Sequence, residues 1–411
     1  MFIVDRIFEL IKKEEKRQRE TLMLIPSENY SSEAVREASG SMLAHKYSEG
    51  YPGRRYYQGN EYIDEIENLA VDRAKTLFGV PHVNVQPYSG SPANSAVFMG
   101  LLEPGDKVMG LALSAGGHLT HGHPKITFSG KFFKSVQYGV GKDGLIDYKD
   151  VKRLALGVGP KLIVAGTTAY SRILNWKVFA EIADSVGAIL MADISHISGL
   201  VVAGAHPSPV RYAHVVTTTT HKTLRGPRGA MIMVTRKGLR KDLAMATKID
   251  RAVFPGLQGG PHNQQTAAIA IALREAQGKL FKKYGQAVVK NAKALASELI
   301  NLGFEIISGG TDNHLMLIDL RNKGISGKEA AIVLEKAGIV VNYNSIPFDP
   351  NPPMNPSGIR IGTPAVTTRG MGKAEMRKIA GWMDEVLSSQ YSVSSVRRQV
   401  KELCRIFPIP L

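Results

Sequence analysis

The sequence predicts an α/β fold built on a mostly parallel sheet, preceded by a helical arm and followed by a smaller α+β unit. Apolar, β-branched runs alternate with amphipathic stretches from Glu61 to about Val234, the rhythm of strands joined by crossover helices. At 411 residues and 44% apolar content the chain suffices for two domains and a large core. After the Gly/Pro hinge Phe254-Pro-Gly-Leu-Gln-Gly-Gly-Pro261, long helical stretches to about Asn301 give way to short alternating segments. We therefore place the arm (about residues 1–45) and the large domain in 1–275, and the smaller domain in 276–411.

The elements follow in order. Ile3, Ile7, Leu10 and Ile11 recur at helical spacing, so the arm should be amphipathic and bury its apolar face on another surface, such as a second subunit. The charges from Lys12 to Glu20 and the lack of an apolar leader argue against a signal peptide. Tyr47–Tyr62 is Gly/Pro-rich and carries five tyrosines (Tyr47, Tyr51, Tyr56, Tyr57, Tyr62) beside Glu49, which favours an interface or active-site loop over an idle one. Asn68–Phe78 and Asn175–Val186 have helical periodicity. Lys107–Leu111, Lys161–Ala165, Ala188–Asp193, Val215–Thr220 and Ala230–Val234 are strand-like. Ala267–Ala272 gives a later helix a small-residue face. In the smaller unit, Phe304–Ile307, His314–Ile318 and Ile339–Asn342 predict strands, and Gly327–Lys336 a helix. Ile359–Ile361 is a short alternating strand with Arg360 alone on one face. Lys373–Leu387 and Val393–Cys404 predict the last helices.

Lys and Arg number 52 against 36 Asp and Glu, a formal charge of +16, which favours anionic substrates or partners. Nucleic acid is not the expected partner, because the basic residues are scattered among acids with no dense block and no aromatic RNA-binding signature. No apolar run approaches the ~18 residues of a membrane span. The single cysteine, Cys404, excludes an internal disulfide and fits a reducing cytoplasm.

The chemistry centres on Val215–Gly229. Val215, Val216 and Thr217–Thr220 form a β-branched strand that ends at His221-Lys222 and opens into a Gly226-Pro227 turn. A lysine there can be partly desolvated, which lowers its pKa and frees a neutral amine to attack a carbonyl. Taken alone, Lys222 is more readily a solvated strand-end lysine than a nucleophile. Its company points further. Asp193 ends the apolar run Gly187–Asp193, with His196 just beyond, although a helix cap or salt bridge accounts for a lone Asp193 equally well. Ser89-Gly90-Ser91-Pro92 opens a helix, with Ser91 expected as N-cap and Pro92 as first helical residue, and such a start offers N–H groups and a favourable dipole to an anion. His118 follows the flexible Gly116-Gly117 and can stack on a flat ring. His118 and His121 have a spacing some metal sites use, but no Cys or carboxylate accompanies them, so no metal is expected. An amine, an acid, an anion cradle and a stacking ring are the four demands of pyridoxal phosphate.

With these residues assembled, the chain closely resembles the serine hydroxymethyltransferases, fold-type I pyridoxal phosphate enzymes. The matching stretches are Ile25–Tyr30, Lys46–Gly53, Arg55–Tyr57, Val85–Ser91, Gly116–Gly122, Val215–Gly229, Phe254–Pro261, Ser308–His314 and Gly358–Pro364. They run in the family's order from about residue 20 to the C-terminus.

The resemblance implies a seven-stranded, mostly parallel sheet sandwiched by helices in a cofactor-binding large domain. It implies reversible transfer of the serine hydroxymethyl group to tetrahydrofolate, giving glycine and 5,10-methylenetetrahydrofolate. Lys222 would carry pyridoxal phosphate covalently, Asp193 would pair with the pyridine nitrogen, and His118 would stack on the ring. His196 would lie near the cofactor hydroxyl and Thr168 against the cofactor. Ser89, Gly90, Ser91 and His221 would bind phosphate, completed by Tyr47 and Gly260 of the neighbouring subunit. Arg360 would grip the substrate carboxylate between Ser27 and Tyr57. Glu49, also from the neighbour, would be the acid/base at the hydroxymethyl oxygen. Tyr56, Leu113, Gly117, Leu119 and Asn344 would line the folate site. The implied partners are serine, glycine, tetrahydrofolate and a second copy of the chain.

Four positions depart from the family pattern. Thr168 stands for a usual serine, Ala115 and Tyr88 for histidines found in many members, and Thr368 for a common arginine. None removes a catalytic group. The competing expectation is a folate-independent threonine or 3-hydroxy-amino-acid aldolase, against which Leu113–His121 and Tyr56 argue.

Overall fold

The structure, a computed structural model, describes residues 5–388 and 392–410, so Ile3 of the expected arm lies outside it. The chain divides into two compact units, Ser31–Gln286 and Met1–Tyr30 with Ala287–Leu411. This division differs from the expected 275/276 boundary, which keeps the first 45 or so residues with the large domain. The residues up to Tyr30 join the C-terminal unit because Leu22–Met23 pairs in parallel with Ile339–Val340. The first helix, α1 (Arg6–Arg19), buries none of its own residues.

In the unit 31–286 seven strands form one sheet. They are β1 (His82–Asn84), β2 (Lys107–Leu111), β3 (Lys134–Tyr138), β4 (Leu162–Gly166), β5 (Ile189–Asp193), β6 (Val215–Thr219) and β7 (Ala230–Val234). Their order is β1-β7-β6-β5-β4-β2-β3. Only β7 is reversed, pairing antiparallel with both β1 and β6; the other pairs are parallel. Strands β4 to β7 are buried on both faces almost throughout, which is why they are written as unbroken apolar or β-branched runs.

Helices cover both faces. Ala93, Val97 and Phe98 of α3 (Gly90–Leu101) pack on Val164, Met191, Val215 and Ile232, and each such large side chain contributes about 1.5–3 kcal/mol on burial. α5 (Trp176–Ser185) packs against β4 and β5, and its Phe179 meets Tyr138 at 5.7 Å between ring centres. α2 (Glu61–Phe78) begins before the expected Asn68. Glu61 and Asp64 sit in its first turn, where they oppose the helix dipole, and Gly79 ends it in the left-handed conformation at φ 70°. α4 (Tyr148–Val158), α6 (Asn263–Ala276) and α7 (Lys279–Asn301) complete the labelled helices to this point; α7 runs through the 286/287 division.

The second unit is α+β. β8 (Glu305–Ile306), β9 (Leu315–Asp319), β10 (Asn342–Asn344) and β11 (Gly358–Gly362) form an antiparallel sheet in the order β8-β9-β11-β10. Met316, Ile318, Ile359 and Ile361 pack beneath Leu334, Met376, Met383 and Val396 of three helices. The expected strand Ile339–Asn342 is split, its first half serving the pair with Leu22–Met23 and its end opening β10. No helix among the described residues is long and apolar enough to cross a membrane.

Candidate active site

Asp193 ends β5, and the loop after β6 carries His221 and Lys222, so both reach the carboxyl edge of the sheet, where open α/β sheets bind ligands. A cavity of about 200 Å³ lies there. Its lining includes Ser89, Gly90, Ser91, Asn94, His118, His121, Thr168, Asp193, His196, His221 and Lys222. Lys222 is half-buried, and its Nζ donates to Thr219 Oγ1 at 3.2 Å. Its loop is closed on itself: Thr220 N donates to Gly229 O, Gly226 N to Thr220 O and Arg225 N to Lys222 O.

Asp193 is buried. Burial alone pushes its carboxyl up, but hydrogen bonds from His121, Asn94 and Ser195 outweigh that and hold it well below the ordinary carboxylate value. His121 Nε2 lies 2.9 Å from Asp193 Oδ2, Asn94 Nδ2 donates to the same oxygen at 2.9 Å, and Ser195 Oγ and N donate to Oδ1 at 2.6 and 3.0 Å. His118 Nδ1 lies 2.8 Å from Thr120 Oγ1, which also accepts from Asn94. His121 and Asn94 therefore belong to the site, although in the sequence alone His121 stands out only by its metal-like spacing from His118. Asn94 had a signal: it is a polar residue on the otherwise apolar buried face of α3.

The helix start differs from expectation. α3 begins at Gly90 with Ser89 as N-cap, not at Pro92 with Ser91, because Ser89 is the last extended residue (φ −162°) and Gly90 already turns into the helix. Ser89 makes no capping bond with its side chain, which leaves the first-turn amides to an anion. A Cβ on Gly90 would fall 2.7 Å from Thr219 Cγ2, so only glycine lets the helix come this close. His221 Nδ1 is buried without a hydrogen-bond partner among the described residues. Burial, with the charges of Lys222 and Arg228, pulls the His221 pKa down to about 3.

A second group gathers elsewhere in the same unit. The Tyr47 ring lies against Gly260, Glu49 against Gly259 and Gly260, and Tyr47 meets Tyr57 at 5.4 Å between ring centres. Glu49 and Tyr56 line a groove of about 480 Å³ with Phe254–Gly259. None of Tyr47, Glu49, Tyr56, Tyr57 and Gly260 lines the Lys222 cavity. Leu113 and Leu119 are exposed on the loop after β2, where Gly117 is buried beneath Leu111.

Ser27, Asn344 and Arg360 belong to the other unit. Arg360 stands opposite Leu317 and Asn342 on β11, and its Nε donates to Asn342 Oδ1 at 3.1 Å. Burial lowers the Arg360 pKa to about 10. Ser27 follows Pro26, which packs on Gly362 at the end of β11. Asn344 opposes Gly358.

The four departures have local explanations. Thr168 Oγ1 donates to Gly117 O at 2.9 Å, so its hydroxyl is directed at the His118 loop. Tyr88 stacks on His262 at 4.1 Å and donates to Gly260 O at 2.7 Å. Thr368 Oγ1 donates to Asn29 Oδ1 at 2.7 Å, and Ala115 is buried.

An amine, a buried ionised carboxylate, a glycine-walled helix N-terminus and an unpartnered imidazole nitrogen on one cavity fit pyridoxal phosphate. With the seven-stranded sheet, they define a fold-type I pyridoxal phosphate enzyme. The family model for serine hydroxymethyltransferase matches residues 3–383. Relatives named serine hydroxymethyltransferase from Acidothermus cellulolyticus and Sorangium cellulosum are 56% and 58% identical over 98% of this chain and 95% of their own length. One from Legionella pneumophila is 54% identical over 98% of this chain and 97% of its own. The chain belongs to the serine hydroxymethyltransferase family, pyridoxal phosphate-dependent enzymes that interconvert serine and glycine with tetrahydrofolate as one-carbon carrier. The relatives' names support this activity over the aldolase alternative.

Proposed function

We propose that the Lys222 cavity performs the family's reaction in this chain, within a cytoplasmic homodimer whose two sites each draw on both subunits. Lys222 holds pyridoxal phosphate through its amine, Asp193 keeps the pyridine nitrogen protonated, and His118 stacks on the ring. His196 lies at the cofactor hydroxyl and Thr168 at its edge. Ser89, Gly90, Ser91 and His221 take the phosphate, with Tyr47 and Gly260 of the second subunit. Bound there, the cofactor supplies a carbonyl for the substrate amine and a protonated conjugated ring that accepts the electron pair left at Cα when the Cα–Cβ bond breaks.

The chain's own residues set the geometry. Arg360 grips the substrate carboxylate with its planar fork, and Ser27 and Tyr57 flank the amino acid. Glu49 moves the proton at the hydroxymethyl oxygen. Tyr56, Leu113, Gly117, Leu119 and Asn344 receive tetrahydrofolate.

The observation that carries this reading is the ionised Asp193 on the same cavity as the Lys222 amine and the α3 N-terminus. Two features support shared sites. Glu49, Tyr47 and Gly260 adjoin one another but do not line the Lys222 cavity, and Ile7, Phe8, Leu10 and Ile11 on α1 are 45–56% exposed. The lone buried Cys404 is consistent with a reducing compartment. The test is a product balance on serine with and without tetrahydrofolate. Glycine and 5,10-methylenetetrahydrofolate should appear in equal amounts, and only with folate present. Glycine released as fast without folate would install the aldolase reading instead.

A further inference from the structure

We propose that Arg55, seated on Glu67, is the positioning residue for the Glu49 carboxylate. The inference rests on the reading of Glu49 as the proton relay. Glu49 precedes a hairpin of minimal length, Gly50–Tyr51 paired with Arg54–Arg55, which has little regular structure to steady it. Yet the backbone is held on both sides of Glu49. Arg55 Nη1 donates to Ser48 O and to Gly50 O, each at 2.8 Å. Tyr56 N donates to the carbonyl of Glu49 itself at 3.0 Å. The carbonyls of three successive residues are therefore tied down, while the carboxylate between them stays half-buried and lies against Gly259.

The clamp is anchored on α2. Arg55 Nε donates to Asp64 Oδ1 at 2.8 Å and Nη2 to Glu67 Oε2 at 2.6 Å. Gln86 Nε2 links Glu67 Oε1 at 2.8 Å to Gly50 O at 3.0 Å. The side chains of Arg55 and Glu67 are only 4% and 5% exposed. A buried ion pair of this kind adds little net stability, since both charges lose water, and apolar side chains of similar volume fill such a space as well. A guanidinium does something that an apolar residue cannot. Its planar donors hold carbonyls on both sides of one residue and dock on two carboxylates at once. Proton transfer needs heavy atoms about 3 Å apart, and a misplacement of about 1 Å reduces rates about a hundredfold. The arrangement therefore serves the placement of Glu49.

The test compares cofactor-loaded wild type, Arg55→Lys, Glu49→Gln and the double variant. It reads kcat for folate-dependent serine cleavage, the serine KM, cofactor absorbance and Tm. Arg55→Lys should lower kcat about tenfold or more and leave KM and cofactor loading within about twofold. In the Glu49→Gln background the same change should lower the residual rate by less than about twofold, because the group it positions is gone. Arg55→Met combined with Glu67→Met removes the clamp without stranding the Glu67 charge, and should reproduce the loss in kcat. An equal loss in both Glu49 backgrounds, or wild-type kcat in the folded Met/Met protein, overturns the positioning role. Wild-type kcat in Glu49→Gln itself overturns the relay reading on which that role rests, and the two failures are told apart by that single variant.

Discussion

His121 Nε2 lies 2.9 Å from Asp193 Oδ2 while its Nδ1 accepts from the His118 amide at 3.3 Å. The backbone thus selects which ring nitrogen carries the hydrogen directed at the carboxylate. Removing this bond by His121→Phe forfeits about 1.5–3 kcal/mol of charge-assisted hydrogen bonding. Pyridoxal phosphate affinity, followed by fluorescence quenching, should fall about tenfold to a hundredfold. His121→Asn keeps a donor and should recover part of it. Equal affinity in wild type and His121→Phe would show that Asp193 does not depend on its histidine.

Histidine burial also sets an acid limit on stability. His214 Nδ1 accepts from Leu190 N at 2.9 Å, and burial with the charges of Lys237 and Lys241 pulls its pKa down to about 4. The unfolded value is about 6.5. Between these values the unfolded chain binds the extra proton and the native chain does not, so stability falls as pH drops from about 6.5 to about 4, by at most ~1.4 kcal/mol per pH unit for this group. Urea unfolding of wild type and His214→Asn across that window should show a shallower pH slope in the variant, whose amide accepts the same bond without titrating. Parallel slopes would remove His214 from the account.

Arg360 remains charged at neutral pH despite its burial. Arg360→Ala should raise the KM for both serine and glycine, with a loss of about 2–5 kcal/mol in transition-state binding. Arg360→Lys should rescue it only partly, since an ammonium cannot reproduce the fork. Unchanged KM values in steady-state assays would make Arg360 an ordinary strand residue.

Shared sites are tested by complementation. Lys222→Ala and Glu49→Gln should each be nearly inactive as homodimers. In a mixed dimer one site carries both lesions and the other carries neither. With random exchange, activity should return to about a quarter of wild type. Differently tagged chains confirm the mixed species, and confirmed mixed dimers without recovered activity would place the whole site in one chain.

Strands buried on both faces were legible in the sequence, and with them the positions of Asp193 and Lys222 at strand ends. The edge strand β3 was not, because Lys134-Ser-Val-Gln-Tyr138 is half polar where only one side is paired. The α3 start was misplaced by two residues, since the close approach of Gly90 to Thr219 is a tertiary contact with no local signature. Asn94 and His121 reach Asp193 across 99 and 72 residues of sequence, distances over which periodicity carries no information. The roles of Glu49 and Arg360 came from the resemblance, because a lone acid in a loop or a lone arginine on a strand has no chemical signature of its own.

β6 and the reversed β7 are joined by residues 220–229 alone, so Lys222 lies in a connection that closes through contacts near in sequence, at small entropic expense. Asp193 reaches the same edge by a crossover through residues 194–214, and Asn94 and His121 by pairings still more remote. The hairpin by itself brings only Lys222 and His221 to that edge; the carboxylate and the α3 N-terminus join them only where the parallel strands have paired, so the complete set of groups that retains the cofactor exists only in the finished sheet. Capture of pyridoxal phosphate marks molecules that have finished their parallel pairing, and by mass action it shelters those molecules, and not their half-assembled precursors, from proteolysis.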